Sequence, residues 1–491
     1  MINEINIKHL RLFILVFLIV FVAALPLNVM DVDAAQYACI SRDMVKSDNW
    51  LHVYDRGHDY LDKPPLLFWL ASTSFKFFGV SNWAYKLPSF LFALLGIIST
   101  IKLCALLYDR KTGMLAGLML ASGLAMFIMT NDVRTDTILL GAVVFSIWQI
   151  LLYLKTKNWI CLIAGFVGIG AAMLAKGPLG IVIPAMALSA EFAYKRQWRN
   201  FIRPEWLIGL GIVSIILLPM AIGLYQQFDL HPEKMVNGKT GVSGLLFYFW
   251  TQSFGRVTGE SDWGTKFDND AGPFFFTHTF LWVFFPWSLL AAGALIKSIL
   301  TLIKSRFRAG YLPELISAGG FVLIFLAMSA SKYKLPHYIY VILPFAAILA
   351  ARFLVHDVFH QAKRYLVITF TVLHGLFFVI LSGVTLLILF FIFPDPPFSV
   401  IIATFLWILA GVFFAFRLWR KPEMLLYPLL CALLAFYFVG NLHFYPNLLS
   451  YSAPAAAGQI VAANKVPQGH YYTYKDLFAY TNDLYSGMTV P

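Results

Sequence analysis

Charge is scarce in this 491-residue sequence: only 13% of the residues are Asp, Glu, Lys or Arg, against about 25% in soluble domains. That excludes an ordinary soluble domain. With 60% hydrophobic residues, 17% aromatics and a mean hydropathy of +0.74, the chain reads as an all-α polytopic membrane protein. Cysteine is sparse too. Cys39, Cys104, Cys161 and Cys431 lie far apart and mostly inside apolar segments, which excludes a disulfide framework or a zinc knuckle. Acids are the rarer charge, with 25 Asp and Glu against 37 Lys and Arg. In a membrane protein the resulting net charge of +12 reports which loops stay inside, so no nucleic-acid partner is expected. The opening MINEINIKHLRLF looks like a signal sequence, but no A-x-A-like cleavage site follows, so it is read as part of a retained first span.

What the sequence has in abundance is apolar segments of spanning length. About thirteen are expected, at 12–29, 88–107, 114–130, 136–154, 159–175, 177–194, 207–225, 276–300, 313–330, 337–352, 365–393, 398–416 and 424–440. Each is near the roughly 20 residues that cross about 30 Å of hydrocarbon as a helix. Alternating sides from an inside N-terminus, one set of loops holds DRKTG, KTKN, KRQWRNFIRPEW, KSRFR, RFLVHDVFHQAKR and RLWRKPE and is strongly basic, as the positive-inside rule requires. The other set holds residues 30–87, NDVRTD, the Lys176 turn, 226–275, SKYKLPHY, PDPP and the tail from about 441, and carries most of the acids. The expected division is a transmembrane domain over 1–440, with a first outer loop at 30–87 and a lid-like outer loop at 226–275, followed by a small exported segment over 441–491. The aromatic run GHYYTYKDLFAYTNDLY in that segment suggests a small domain or strand pair packed on the lid.

Five outer stretches concentrate ionisable residues. Asp31 and Asp33 precede AAQYACISRDM, whose spacing reads as a short amphipathic helix in the membrane interface. Asp33 could be only its N-cap, although a cap needs one acid and two are present. In YLDKPPLLFWL two prolines fix an extended entry, and Asp62 and Lys63 are either functional or a solvated acid beside a snorkelling lysine. NDVRTDTILLG sets Arg134 and Asp136 at the mouth of a span. MLAKGPLGIVIP sets Lys176 in a turn, and each of these could be an interface anchor. SASKYKLPHYIYVILP puts Lys332 and Lys334 on the outer side, against the positive-inside bias, which an anionic ligand would explain. A transporter would instead carry ionisable residues near mid-membrane on broken helices.

In this order and on one side, these stretches resemble the membrane glycosyltransferases of the GT-C fold, specifically the lipid-A aminoarabinose transferases and the protein O-mannosyltransferases. D33-A-A-Q-Y37 followed by S41-R-D-M44 matches the family's first outer motif, D62-K-P-P-L66 its Glu-Lys-Pro-Pro-Leu, Asp136 its second-loop acid, Lys176-Gly177 its Lys-Gly turn, and K334-L-P-H-Y338 its Lys-Leu-Pro-x-Tyr. The chain departs from the pattern at Ala34, where the family has an acid, and adds Asp31.

The resemblance implies sugar transfer from a polyprenyl-phosphate carrier to a lipid, glycan or protein acceptor at the outer face of the cytoplasmic membrane, amid membrane lipids. A transporter or flippase of lipid-linked sugars is the alternative. Negative charge grows on the departing phosphate, so such a site needs cations there and a carboxylate at the acceptor. Lys63, Arg256, Lys332, Lys334 and Lys176 are the candidates for the phosphate. Asp33 is the candidate base, held by Asp136 or Arg134, with Asp31, Tyr37, Arg42 and Tyr338 around the acceptor. No cofactor is required. A divalent ion is entertained at Asp62, Asp270 and His337, with His278 as a substitute ligand. Asp31 and Asp33 add further hard oxygens, and such a set suits magnesium or calcium better than zinc.

Overall fold

The computed structural model describes residues 6–236, 238–255, 272–360, 364–418, 426–473 and 479–491. All thirteen expected segments are helical there. Among the described residues eight helices are long and apolar enough to cross a membrane, and the pair Arg110–Ser122 and Leu124–Asn131, bent by 54°, passes the same test when taken together. The other four segments form shorter helices. Ile7–Val22 and Leu179–Tyr194 have 16 residues, Ile316–Ala330 has 15, and the segment at 276–300 divides into Phe275–Val283 and Ser288–Lys304 around Phe285 and Pro286. The expected count of thirteen spans is therefore not established by helix length.

Burial sorts the spans into an inner and an outer set. Pro336–Phe359 and Leu426–Ser450 are 83% buried, whereas Arg364–Ile392 is 28% and Phe398–Arg417 17% buried, the pattern of a central pair and two lipid-facing helices. The bend after Ser122 frees a backbone carbonyl inside the core, and such a group must find a donor within the protein. Tyr437 supplies it, its hydroxyl donating to the Ser122 carbonyl at 2.8 Å, while the Trp287 indole donates to the Ser122 hydroxyl at 2.9 Å. The Phe127 and Tyr437 rings stack at 4.5 Å beside them.

A second layer covers one end of the bundle. It begins with helix Asp33–Ser47, passes through a two-strand hairpin, and continues into helix Leu66–Phe78. The hairpin pairs Tyr54 with Asp59 and Asp55 with His58. Its turn residues Arg56 and Gly57 both have positive φ, 52° and 83°, as a two-residue turn between twisted strands requires. Tyr85 donates to the Ala34 carbonyl at 2.7 Å and Ser72 to the Ser41 carbonyl at 2.9 Å, which fixes Asp33–Ser47 against its neighbours. A small apolar core containing Ala34, Tyr37, Ala38, Phe68, Phe75 and Tyr85 fills the layer.

Helix Asp33–Ser47 is enclosed by protein: nine of its residues are buried, because its small side chains Ala34, Ala35 and Ala38 admit close packing on several sides. The boundary expected at 440 falls inside the continuous helical run Leu426–Ser450. Asn441 and His443 read as loop residues, yet both are buried and satisfied: Asn441 donates to the Val20 carbonyl at 2.9 Å, and His443 Nε2 lies 2.8 Å from the Phe393 carbonyl. The tail forms helices Ala453–Ala463 and Tyr480–Ser486 rather than a strand pair among the described residues, and the second of these docks on the first outer loop.

Candidate active site

Asp33 opens its helix and Arg134 is the last residue before the span Thr135–Thr156. They are 101 positions apart in sequence, yet the Arg134 guanidinium donates to Asp33 Oδ2 at 2.6 Å and, through Nε, to Asp132 Oδ2 at 2.7 Å. One guanidinium thus links two carboxylates. Burial opposes the charge on Arg134, but Asp132 and then Asp33 outweigh it and hold its pKa above the ordinary value. Burial is the main influence on Asp132 and, with the Asp33 charge, leaves its pKa raised although Arg134 pulls it down. The two acids differ in access, since the Asp33 side chain is 40% exposed and that of Asp132 18%.

One helical turn on, Asp136 is nearly sealed, its side chain 4% exposed, and it forms an ion pair with Lys176. The lysine ends helix Trp159–Lys176, and Gly177 stops that helix with φ 66°, a conformation that favours glycine. The Lys176 ammonium also sits over the Tyr338 ring, 4.2 Å from its centre. His337 brings Nε2 to 3.9 Å from Asp136 Oδ2. His337 also feels the charges of Lys176, Arg134 and Asp33. Four of the five sequence stretches therefore meet at one end of the bundle through named contacts. A Cβ on Gly141 would run into the Phe92 carbonyl, so the absence of a side chain there lets the Asp136 helix approach its neighbour.

The fifth stretch, around Asp62 and Lys63, adjoins the same cluster. The two residues pair with each other, and Gln252 donates to the Asp62 carbonyl. Tyr37 joins the two halves. Its ring meets Phe68 edge-on at 5.7 Å, and burial, followed by the Asp33 and Asp62 carboxylates, holds its phenol pKa well above the usual range. Lys63 lines a narrow crevice of about 20 Å³ with Leu61, Pro64, Tyr248 and Gln252. Lys334 is buried and Lys332 is exposed. Arg256 and Asp270 lie outside the described residues.

Two expected acceptor residues are engaged elsewhere. Arg42 is 2% exposed, bonds Asp43 at 2.8 Å and donates to the carbonyl of Asp483, so its guanidinium is committed to the C-terminal helix. Asp31 accepts from Thr481 Oγ1 at 2.7 Å. It therefore has a firm anchor of its own in that helix. Among the described residues no three His, Cys, Asp or Glu side chains group as metal ligands. Asp62 pairs with Lys63 and His337 faces the Asp136–Lys176 pair.

Sequence reading passed over Asp132, although an acid two residues before and another two after Arg134 was a signal for a bridging guanidinium. It also passed over the residues that clamp the tail to the first outer loop. Arg56 pairs with Asp483 at 2.7 Å, Tyr480 donates to Asp55 at 2.6 Å, and Gln36 donates to the Tyr480 hydroxyl at 2.9 Å. The described part of the expected lid packs on that loop as well, with Gln227 donating to Val53 and Asp59 at 2.9 and 2.7 Å and Lys234 3.2 Å from Asp59.

A helical membrane bundle with a charged cluster under juxtamembrane helices is the architecture of GT-C proteins, and the chain has that fold. It superposes on ArnT from Cupriavidus metallidurans bound to undecaprenyl phosphate with a TM-score of 0.73 at 20% identity, covering 99% of this chain and 86% of that one. The apo state of the same protein gives 0.72 over 98% and 85%. An oligosaccharyltransferase from Archaeoglobus fulgidus in the apo form gives 0.53 at 12% identity, over 98% of this chain and 64% of that one. In sequence, residues 62–222 match the family described as dolichyl-phosphate-mannose-protein mannosyltransferase. The chain is 25% identical over 335 residues to undecaprenyl phosphate-alpha-4-amino-4-deoxy-L-arabinose arabinosyl transferase 2 of Proteus mirabilis, covering 66% of this chain and 55% of that protein. The corresponding transferase of Yersinia pestis is 26% identical over 333 residues, 65% and 55% of the two chains. The chain spans about half the length of the curated relatives it matches.

Proposed function

We propose that this protein is a glycosyltransferase that moves a sugar from a polyprenyl-phosphate carrier to an acceptor, with its site at the outer face of the cytoplasmic membrane. The observation that carries the reading is the meeting of Asp33, Asp132, Arg134, Asp136, Lys176 and His337, drawn from separate stretches, at one end of the bundle. The similarity to transferases whose names state undecaprenyl-phosphate-linked arabinose chemistry supports the class of donor.

In this reading the bond between the anomeric carbon and the carrier phosphate oxygen breaks, the phosphate leaves with the electron pair, and an acceptor oxygen bonds to the same carbon. Lys63, Lys332 and Lys334, with Arg256, meet the growing phosphate charge; fixed cations there stabilise the transition state more than the ground state. Asp33, the accessible acid, takes the proton of a hydroxyl acceptor. Arg134 holds it in place. When the acceptor is itself a phosphate there is no such proton to remove, and Asp33 orients it. The sealed Asp136–Lys176 pair positions the turn on which His337 and Tyr338 face the cluster.

The test is to incubate the purified protein in detergent with undecaprenyl-phosphate sugars and candidate lipid, glycan and protein acceptors, and to follow free undecaprenyl phosphate and glycosylated product by mass spectrometry. An enzyme releases the carrier without a second compartment. Transport of the intact lipid-linked sugar across vesicles with no cleavage would replace the proposal by the flippase reading.

A further inference from the structure

The far end of the same helices carries a second charged feature. Helix Thr135–Thr156 has Asp136 at one end and Lys155 at the other, about 29 Å away at 1.5 Å per residue. Helix Leu179–Tyr194 likewise runs from the Lys176 turn to Lys195. Between these ends lies a cavity of about 920 Å³ whose lining includes Lys155, Lys195, Arg196, Arg199 and Arg203 against a single acid, Glu191. Glu191 is buried, accepts from the Leu315 amide at 2.6 Å and pairs with Lys195 at 2.5 Å. Arg203 is shared between Asn200 at 2.8 Å and Glu205 at 3.5 Å. Lys155, Arg196 and Arg199 have no carboxylate partner among the described residues. Three uncompensated cations therefore surround one opening.

The rest of the lining is apolar. Leu106, Leu107, Leu151, Leu154 and Phe192 form the floor. Trp198 is 63% exposed in the lining, and the neighbouring Ile202 is 82% exposed, where an aromatic and an aliphatic side chain suit the boundary between headgroups and hydrocarbon. A free phosphate compound would need only the cations. Cations above an apolar floor, one membrane thickness from the candidate active site, match a ligand with a phosphodiester and acyl chains. Basic pockets between span ends on the inner side are known to take such headgroups.

We propose that this cavity is a binding site for an anionic phospholipid, its phosphate held by Lys155, Arg196 and Arg199 and its acyl chains lying on Leu151, Leu154 and Phe192. The site is separate from the transfer chemistry and does not depend on it. An anionic lipid seated there ties together the ends of three helices, two of which carry or adjoin Asp136 and Lys176 at their other ends.

Delipidated protein in detergent, titrated with cardiolipin, phosphatidylglycerol or phosphatidylethanolamine and read by native mass spectrometry, tests this. Wild type is expected to bind cardiolipin and phosphatidylglycerol in preference to phosphatidylethanolamine. A Lys or Arg at an anionic lipid surface contributes on the order of 1 kcal/mol, about fivefold in affinity, so Arg196→Gln with Arg199→Gln should weaken cardiolipin binding about thirtyfold and leave phosphatidylethanolamine unchanged. The matched Lys double variant should retain it. Lys155→Gln, on a different helix, should cost about fivefold and carries the test if the loop variant does not fold. Equal cardiolipin affinity in wild type and Lys155→Gln, or no preference for anionic over zwitterionic lipid, overturns the proposal. Displacement of cardiolipin by equimolar pyrophosphate also overturns it, in favour of a soluble phosphate ligand.

Discussion

In the proposed mechanism, replacing Asp33 by Asn separates chemistry from stability, because the carboxylate given the proton transfer is the more exposed of the two that Arg134 links. The Asp33 carboxylate is bonded by Arg134 at 2.6 Å, but its side chain is 40% exposed, so solvent screens the pair and its loss should cost at most about 1 kcal/mol of stability. Arg134 keeps its second partner Asp132 at 2.7 Å, so the guanidinium stays in place. Asn keeps the shape of the side chain and loses the ability to take a proton. If Asp33 is the base for a hydroxyl acceptor, turnover should fall by about 10²–10⁴, equivalent to roughly 3–5 kcal/mol in the barrier. The assay is the initial rate of undecaprenyl-phosphate release in detergent, with apparent melting temperature measured on the same preparation. The expected result is a near-unchanged melting temperature with turnover reduced at least a hundredfold. On a phosphate acceptor the loss should be under tenfold, so the ratio of the two losses also reports the acceptor class. Asp31→Asn, whose amide oxygen still accepts from Thr481, should keep measurable activity. Wild-type turnover of Asp33→Asn on hydroxyl and phosphate acceptors alike, or an inactive Asp31→Asn beside it, would refute the assignment.

Lys176→Met strands Asp136 in a site where its side chain is 4% exposed. Losing one member of a buried pair costs about 3–5 kcal/mol, or about 3–5 °C at the unfolding entropy typical of a chain this long, and adding Asp136→Asn should recover part of it. An additive double variant would show that the pair is not coupled. Arg134→Met should be more unstable relative to wild type at pH 8 than at pH 5. Burial already raises the Asp132 pKa, so the neutral acid favours the fold at low pH and that contribution is lost as pH rises; removing the nearby cation raises the pKa further. Melting curves at the two pH values check this, and an equal gap at both would contradict it. Asp483→Ala removes the carboxylate that pairs with Arg56 at 2.7 Å and should loosen the C-terminal helix, read as several-fold faster hydrogen exchange across residues 33–47; unchanged exchange there would mean that the tail does not brace the site.

The sequence carried the spans and most of the cluster, and what it withheld has identifiable causes. Apolar runs at spanning length are a strong signal, and all thirteen became helices among the described residues. Their lengths were harder to read. Breaks such as the one after Ser122 depend on Tyr437 and Trp287 satisfying the freed groups, and no local pattern reports a partner 315 residues away. Charged residues at span ends pointed to Asp33, Arg134, Asp136, Lys176 and His337 because the bilayer makes such positions costly unless they are used. The anchoring of Arg42 was not legible since its partner is a backbone carbonyl on a helix 441 positions later, and main-chain acceptors leave no trace in composition. Asn441 and His443 looked like the start of an exported tail for the same reason: polarity alone does not reveal that both are buried and satisfied.

The clamp between the first outer loop and helix Tyr480–Ser486 orders events during synthesis. Asp31 and its partner Thr481 are 450 positions apart, so at about 5–20 residues per second the loop waits roughly 20–90 s before the segment that braces it exists. Throughout that interval Asp31, Arg42 and Arg56 lack the tail contacts seen in the finished fold, and the helix bearing Asp33 rests only on the packing of its own layer. A chain halted between Ser450 and Tyr480 would have all its long apolar helices made and its first loop unbraced. The helix bearing Asp33 would then reach its final bracing only once the end of the chain has been made.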